Sequence, residues 1–175
     1  MIIPRFFPVL AAFALAGCAG YHQGPIKPTP MAKVKSIAVP NFKNDTLETR
    51  VEVQLANSVI KQIQQDGTYR IADERSADAV LECTLEQIQR KPQRSVQGNT
   101  LLSKEYELIL NVTYHVKDRV TGAELMRRTV KGQTTFFVSG SNALAADVLQ
   151  DERQALPLAA EDVAIRLVAQ ISEGW

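Results

Sequence analysis

The 175-residue chain is poor in the residues from which reactive centres are built. It has two histidines, His22 and His115, and two cysteines, Cys18 and Cys83. One imidazole in a proline-flanked stretch and one on a polar strand face do not complete a metal site of ordinary ligand count. No metal and no cofactor are expected. A phosphate-cradling glycine loop, a serine elbow between strand and helix, and a Cys-x-x-Cys pair are all missing. Ser139-Gly140-Ser141 lacks the strand-to-helix setting of a nucleophile and reads as a loop. Glu105 and Glu107, two apart on one strand face, make a solvated face rather than an acid/base pair. The chain therefore reads as a non-enzyme. It also lacks an apolar run of the roughly 20 residues needed to span a bilayer. Neither sign of charge is in excess, with 20 basic against 19 acidic residues, so no strong field draws it to nucleic acid.

What is present begins at the N-terminus. Met1 to Arg5 carries one positive charge, Phe6 to Ala16 is apolar apart from Pro8, and Ala16-Gly17 supplies small side chains, the pattern of a secretory signal. Cysteine directly after Leu15-Ala16-Gly17 resembles the bacterial lipobox. That resemblance implies removal of residues 1–17, lipidation of the Cys18 thiol and anchoring to a membrane through several acyl chains. Ala19, being other than aspartate, implies export to the outer membrane. The alternative at Cys18 is an ordinary signal with an incidental cysteine. Removal of the signal leaves 19 basic residues, one fewer than the 20 of the whole chain because Arg5 is lost, against 19 acidic ones. Cys83 then has no intrachain thiol partner and reads as a small buried hydrophobe.

Residues 18–33 contain Pro25, Pro28 and Pro30 and read as a lipidated, semi-stiff tether. Residues 34–175 read as one domain. A strand is predicted over Lys35 to Phe42, ended by Pro40 and the turn-prone Asn41, Asn44 and Asp45. Leu47, Val51, Leu55, Val59 and Ile63 recur every four residues and predict an amphipathic helix from Thr46 to Gln65, with caps in Asn44-Asp45-Thr46 and a stop at Gly67. Tyr69-Arg70-Ile71 reads as a short extended piece. The period then changes to two, predicting strands over Val80–Arg90, Lys104–Lys117 and Glu124–Val138, the last two joined by a turn at Asp118 to Gly122. Val138 to Ala146 reads as a loop. Leu156, Ala160, Val163, Leu167 and Ile171 predict a C-terminal helix with a kink or fresh start at Pro157. The order β-α-β-β-β-α predicts an α+β two-layer domain, a four-stranded mixed or antiparallel sheet with two helices on one face.

These segments, in this order, resemble the lipopolysaccharide-assembly lipoproteins of the LptE (RlpB) type, in a divergent branch. The likeness is carried by Cys18-Ala19-Gly20-Tyr21-His22, by Ser36 to Thr46, by Ala77 to Glu82, by Asp118 to Gly122, and by Ala159 to Ala164 with the terminal Trp175. It implies an outer-membrane plug and assembly partner for the LptD-type β-barrel that delivers lipopolysaccharide. The other reading is a periplasm-facing lipoprotein module that regulates another envelope complex. Arg90, Lys91, Arg94, Lys104, Arg127, Arg128 and Lys131 are the candidate lipopolysaccharide-binding residues, because hairpin pairing that gathers them at one sheet edge or tip would suit the phosphates of lipid A; the alternative is a set of solvated edge charges that block sheet-to-sheet aggregation.

Overall fold

A computed structural model describes residues 27–94, 104–138 and 145–174. The signal, Cys18, the serine-glycine loop and Trp175 lie outside the described residues. The described residues form six strands: β1 Ser36–Ala38, β2 Lys43–Asn44, β3 Arg70–Ile71, β4 Ala79–Arg94, β5 Lys104–Asp118 and β6 Glu124–Val138. Two α-helices, α1 Val51–Asp66 and α2 Ala145–Glu173, cover one face of the sheet. The strand order is β3-β1-β4-β5-β6, with β2 pairing β4 beyond β1. β1, β2 and β3 run parallel to their neighbours, while β4, β5 and β6 form an antiparallel meander. The α+β class holds, but the sheet has six strands rather than four. The two additions, Lys43–Asn44 and Arg70–Ile71, are two-residue pieces too short to declare a period.

The long strands follow their alternation. On β5, Leu108, Leu110, Val112, Tyr114 and Val116 are wholly buried toward the helices, each burial contributing about 1.5–3 kcal/mol for a side chain of this size. Leu81, Cys83 and Leu85 of β4 join them. A register shift between Leu85 and Gln87 then inserts one residue. That bulge passes the helix-facing side from odd to even numbers, so Ile88 and Arg90, not Gln87 and Gln89, continue the inner row opposite Leu110 and Leu108.

α1 buries Val51, Leu55, Ala56, Val59 and Ile63 and ends at Gly67, whose φ of 74° only glycine adopts readily. It starts five residues later than the periodicity suggests. Leu47, read as part of the buried stripe, is fully exposed. The cause is Asn44: its amide oxygen accepts from the Thr46 N–H at 2.9 Å and the Thr46 hydroxyl at 2.7 Å. Its amide nitrogen donates to the Glu48 carbonyl at 2.6 Å and to Glu52 at 2.7 Å. The capping residues thus close a loop on themselves instead of opening the helix.

α2 is also longer than expected, running continuously from Ala145 through Pro157 to Glu173. Pro157 faces solvent, flanked by buried Leu156, Ala159 and Ala160, so water is available to the Arg153 carbonyl that proline leaves without an amide donor. The helix rests on β6 at Gly132. A Cβ there would stand 2.5 Å from the Val163 nitrogen and 2.6 Å from the Ala159 carbonyl oxygen. Within the stretch read as tether, Thr29–Met31 makes a turn of 3-10 helix whose Met31 is fully buried. Packing therefore begins a few residues ahead of position 34.

Candidate functional site: the basic residues and the open sheet face

The seven basic residues singled out from the sequence do not converge. The β4 bulge carries Arg90 to the helix side of the sheet. There its Nε donates to Glu152 Oε2 at 2.6 Å, and its Nη2 lies 2.6 Å from Glu152 Oε1 and 2.8 Å from Glu48 Oε1. Glu152 is almost wholly buried on α2. Its Oε1 meets Arg90 at ion-pair distance but without the alignment of a hydrogen bond. The carboxylates of Glu152 and then Glu48 push the Arg90 guanidinium above its ordinary range. One arginine thus ties β4, α2 and the loop before α1 together.

Lys91 lies on the opposite, helix-free face, across from Glu107. Arg94 stands at the register position facing Glu105, and Lys104 at the one facing Val138. These three share one end of the sheet. Arg127 pairs in register with His115, and Arg128 with Tyr114. That places them eight and seven residues along β5 from Glu107, about 26 and 23 Å away. Arg128 lies on the helix side, where its Nη1 reaches the Gly174 carbonyl at 3.5 Å. Lys131 is between the two groups, opposite Asn111.

The open face is built of polar rows. Glu82, His115 and Arg127 form one; Thr84, Thr113 and Thr129 a second; Gln87, Asn111 and Lys131 a third. Lys117 Nζ donates to Glu82 at 2.6 Å, His115 Nδ1 is 2.8 Å from Glu124, and the Thr113 and Thr129 hydroxyls are 2.9 Å apart. Where residues 39–42 leave β4, Asn41, Lys43, Glu82, Thr84, His115 and Lys117 line a shallow hollow of about 420 Å3. Cys83 also borders it, but its side chain belongs to the helix-side core, and burial pushes its thiol well above the ordinary range. Such a thiol is a packing group, not a nucleophile. Among the described residues no group of three His, Cys, Asp or Glu side chains could hold a metal ion.

Two hydroxyls support the core rather than any chemistry. Tyr114 donates to Gln170 at 2.9 Å and Tyr69 to the Ile171 carbonyl at 2.6 Å. Burial, helped in Tyr69 by nearby Asp66, raises each to about 12. Asp78 accepts from the Lys35 and Ser36 amides and the Ser36 hydroxyl, which lowers its carboxyl below the usual range.

The partners of Arg90 were missed in the sequence because Glu152 precedes the stretch read as the C-terminal helix. The strand glycine at 132 was the available signal for close helix contact.

This is a two-layer α+β module that offers charged and hydrogen-bonding contact surface and no reactive cleft among its described residues. The model of the LptE family, described as lipopolysaccharide assembly, matches residues 34–171, and the chain belongs to that family. Its members are non-enzymatic outer-membrane lipoproteins, and the role of the chain lies in lipopolysaccharide assembly. No curated protein matches it in sequence. Among solved structures it is similar to the PelC dodecamer from Paraburkholderia phytofirmans, with 17% identity, 84% of this chain and 93% of that chain covered, and a TM-score of 0.51. A protein from Caulobacter crescentus CB15 described as a lipoprotein shares 14% identity over 75% of this chain and 88% of that one, at a TM-score of 0.51. A hypothetical protein from Chlamydia trachomatis reaches 0.53 at 6% identity, covering 79% and 96%. These likenesses are of fold. No helix among the described residues is long and apolar enough to cross a membrane.

Proposed function

We propose that the protein is an outer-membrane lipoprotein, held by acyl chains on Cys18, that serves as plug and assembly partner of an LptD-type β-barrel in lipopolysaccharide transport, with no catalytic activity of its own. The observation that carries this reading is the family match over residues 34–171. The open face is compatible with it, because a barrel lumen is polar and the rows around Glu82, Thr113 and Lys131 offer hydrogen bonds and both charges. Recovery of a large β-barrel protein with the tagged, lipidated chain from solubilised envelopes is the expected result. Recovery of a periplasmic or inner-membrane enzyme in its place would favour the regulatory reading.

Lipopolysaccharide contact is proposed for the same seven basic residues, weighted by their placement. Lys91, Arg94 and Lys104 share one sheet end and are the leading phosphate ligands, with Arg90 beside them on the other face. Arg127 and Arg128 belong to a separate region, with Lys131 between the two. Reversing the charges of Lys91, Arg94 and Lys104 while keeping Arg90 tests this without breaking the Glu152 pair. Lipopolysaccharide binding unchanged by that triple reversal would sink the assignment.

A further inference from the structure

We propose that the outer edge of β6 and the adjoining flank of α2 form a strand-addition groove for an extended protein segment that alternates apolar and acidic side chains. β6 ends the sheet. On its outer side the Gln133 N–H donates to the Asp162 carboxylate of α2 at 2.8 Å. In an antiparallel pair the outward-pointing groups recur at every second residue. Arg127, Thr129 and Lys131 therefore aim their N–H and C=O groups the same way as Gln133, toward no strand among the described residues. Asp162, itself held by Arg166 at 2.9 Å, closes one end of this row.

The groove has two unlike walls. Above it runs α2, whose Arg166, Ala169 and Gln170 enclose about 330 Å3 with Thr129, Val130 and Lys131. Ile165, one turn of helix from Ala169 and three residues from Asp162, is 48% exposed on the same flank. Below it, on the open sheet face, stand the side chains of Arg127 and Lys131, two cations of one strand with no acidic residue between them. A strand laid about 4.8 Å outside β6 would place alternate side chains against these two walls. Those turned up would meet Ile165 and Ala169, and those turned down would meet Arg127 and Lys131. Main-chain hydrogen bonds supply affinity in this mode, and the walls supply selection. Lysine on an edge strand also deters pairing with neutral or basic strands, so the same cation admits an acidic occupant and refuses a copy of β6. Asp162 on Gln133 is a one-residue precedent: a carboxylate already satisfies one amide of this edge.

The proposal does not depend on the barrel partnership. Its test uses the full-length protein in detergent with two synthetic peptides, one alternating valine and glutamate and one alternating valine and lysine. The acidic peptide is expected to bind, to slow amide exchange at Thr129 and Lys131, and to lose about tenfold in affinity with Lys131→Glu and with Ile165→Glu. The basic peptide is expected not to bind. Both substituted positions are exposed, and thermal melts check that the variants remain folded. Binding without protection of the β6 amides, equal binding of both peptides, or no binding of the acidic one would overturn the proposal. Barrel co-purification is scored separately, so a protein that keeps its barrel but ignores the acidic peptide refutes only the groove.

Discussion

At the scale of single residues, the feature with the largest energetic consequence is the buried carboxylate of Glu152. Among the described residues its charge is balanced by Arg90 alone, and the arginine side chain remains 38% exposed. Arg90→Ala would strand that carboxylate. We expect a loss of about 2–3 kcal/mol in urea unfolding, below the roughly 3–5 of a fully buried pair because water reaches the arginine side. Replacing both partners by apolar residues should recover most of it. Tyr69 and Tyr114 make a second prediction. Their hydroxyls titrate near 12 in the fold and near 10 when unfolded. The folded state therefore holds more protons than the unfolded state between those values, and stability falls as pH rises through that window. Melting temperatures should be insensitive to these two groups below pH 10 and decline from there to 12. Phenolate absorbance should show two tyrosines ionising late.

At the scale of elements, close contact and interrupted hydrogen bonding set the limits. Gly132 lets α2 lie against β6, and Gly132→Ala should cost about 3 kcal/mol by forcing the helix backbone away, visible as a lower denaturation midpoint with an unchanged slope. Pro157 acts in the opposite sense. Pro157→Ala restores a donor to the Arg153 carbonyl and should raise stability by about 1–3 kcal/mol in the same assay. These elements also separate what sequence patterning encodes from what it does not. Val51, Leu55, Val59 and Ile63, and the alternation from Leu108 to Val116, are legible because each repeats within one element. Leu47 has helical spacing too, yet Asn44 satisfies the local backbone in a loop before helix can propagate. Arg90 is carried to the helix side by one inserted residue at the β4 bulge, which no periodic pattern announces. The candidate site was legible as a list of cations. It was illegible as a geometry, because Glu48 and Glu152 reach Arg90 only through tertiary packing.

At the scale of the whole molecule, the proposed anchor at Cys18 lies outside the family match over residues 34–171. Cys18→Ala should move the protein out of the outer-membrane fraction while leaving the domain's thermal melt within about 1 °C. Normal fractionation of that variant would remove the basis for the anchor. The chain has 20 basic and 19 acidic residues, and among the described residues some pair in place, as Lys117 does with Glu82 and Arg166 with Asp162. Contact with a partner then rests on local patches instead of a long-range field.

The parallel pairing of β1 with both β3 and β4 has a kinetic consequence. The β4-β5-β6 meander joins neighbours in sequence and can zip early, whereas Ser36 must find Arg70, and Ile37 must find Ala79, across the whole of α1. Loop closure of that length slows the step. We expect the N-terminal strand to dock last, seen as late amide protection of Ser36 to Ala38 during refolding, and in a chain emerging amino end first it is also the segment that waits longest for its partners. A periplasmic chaperone that shields extended apolar segments would act on Val34 to Val39 during that interval, making the start of the domain the place where its assembly is most open to help.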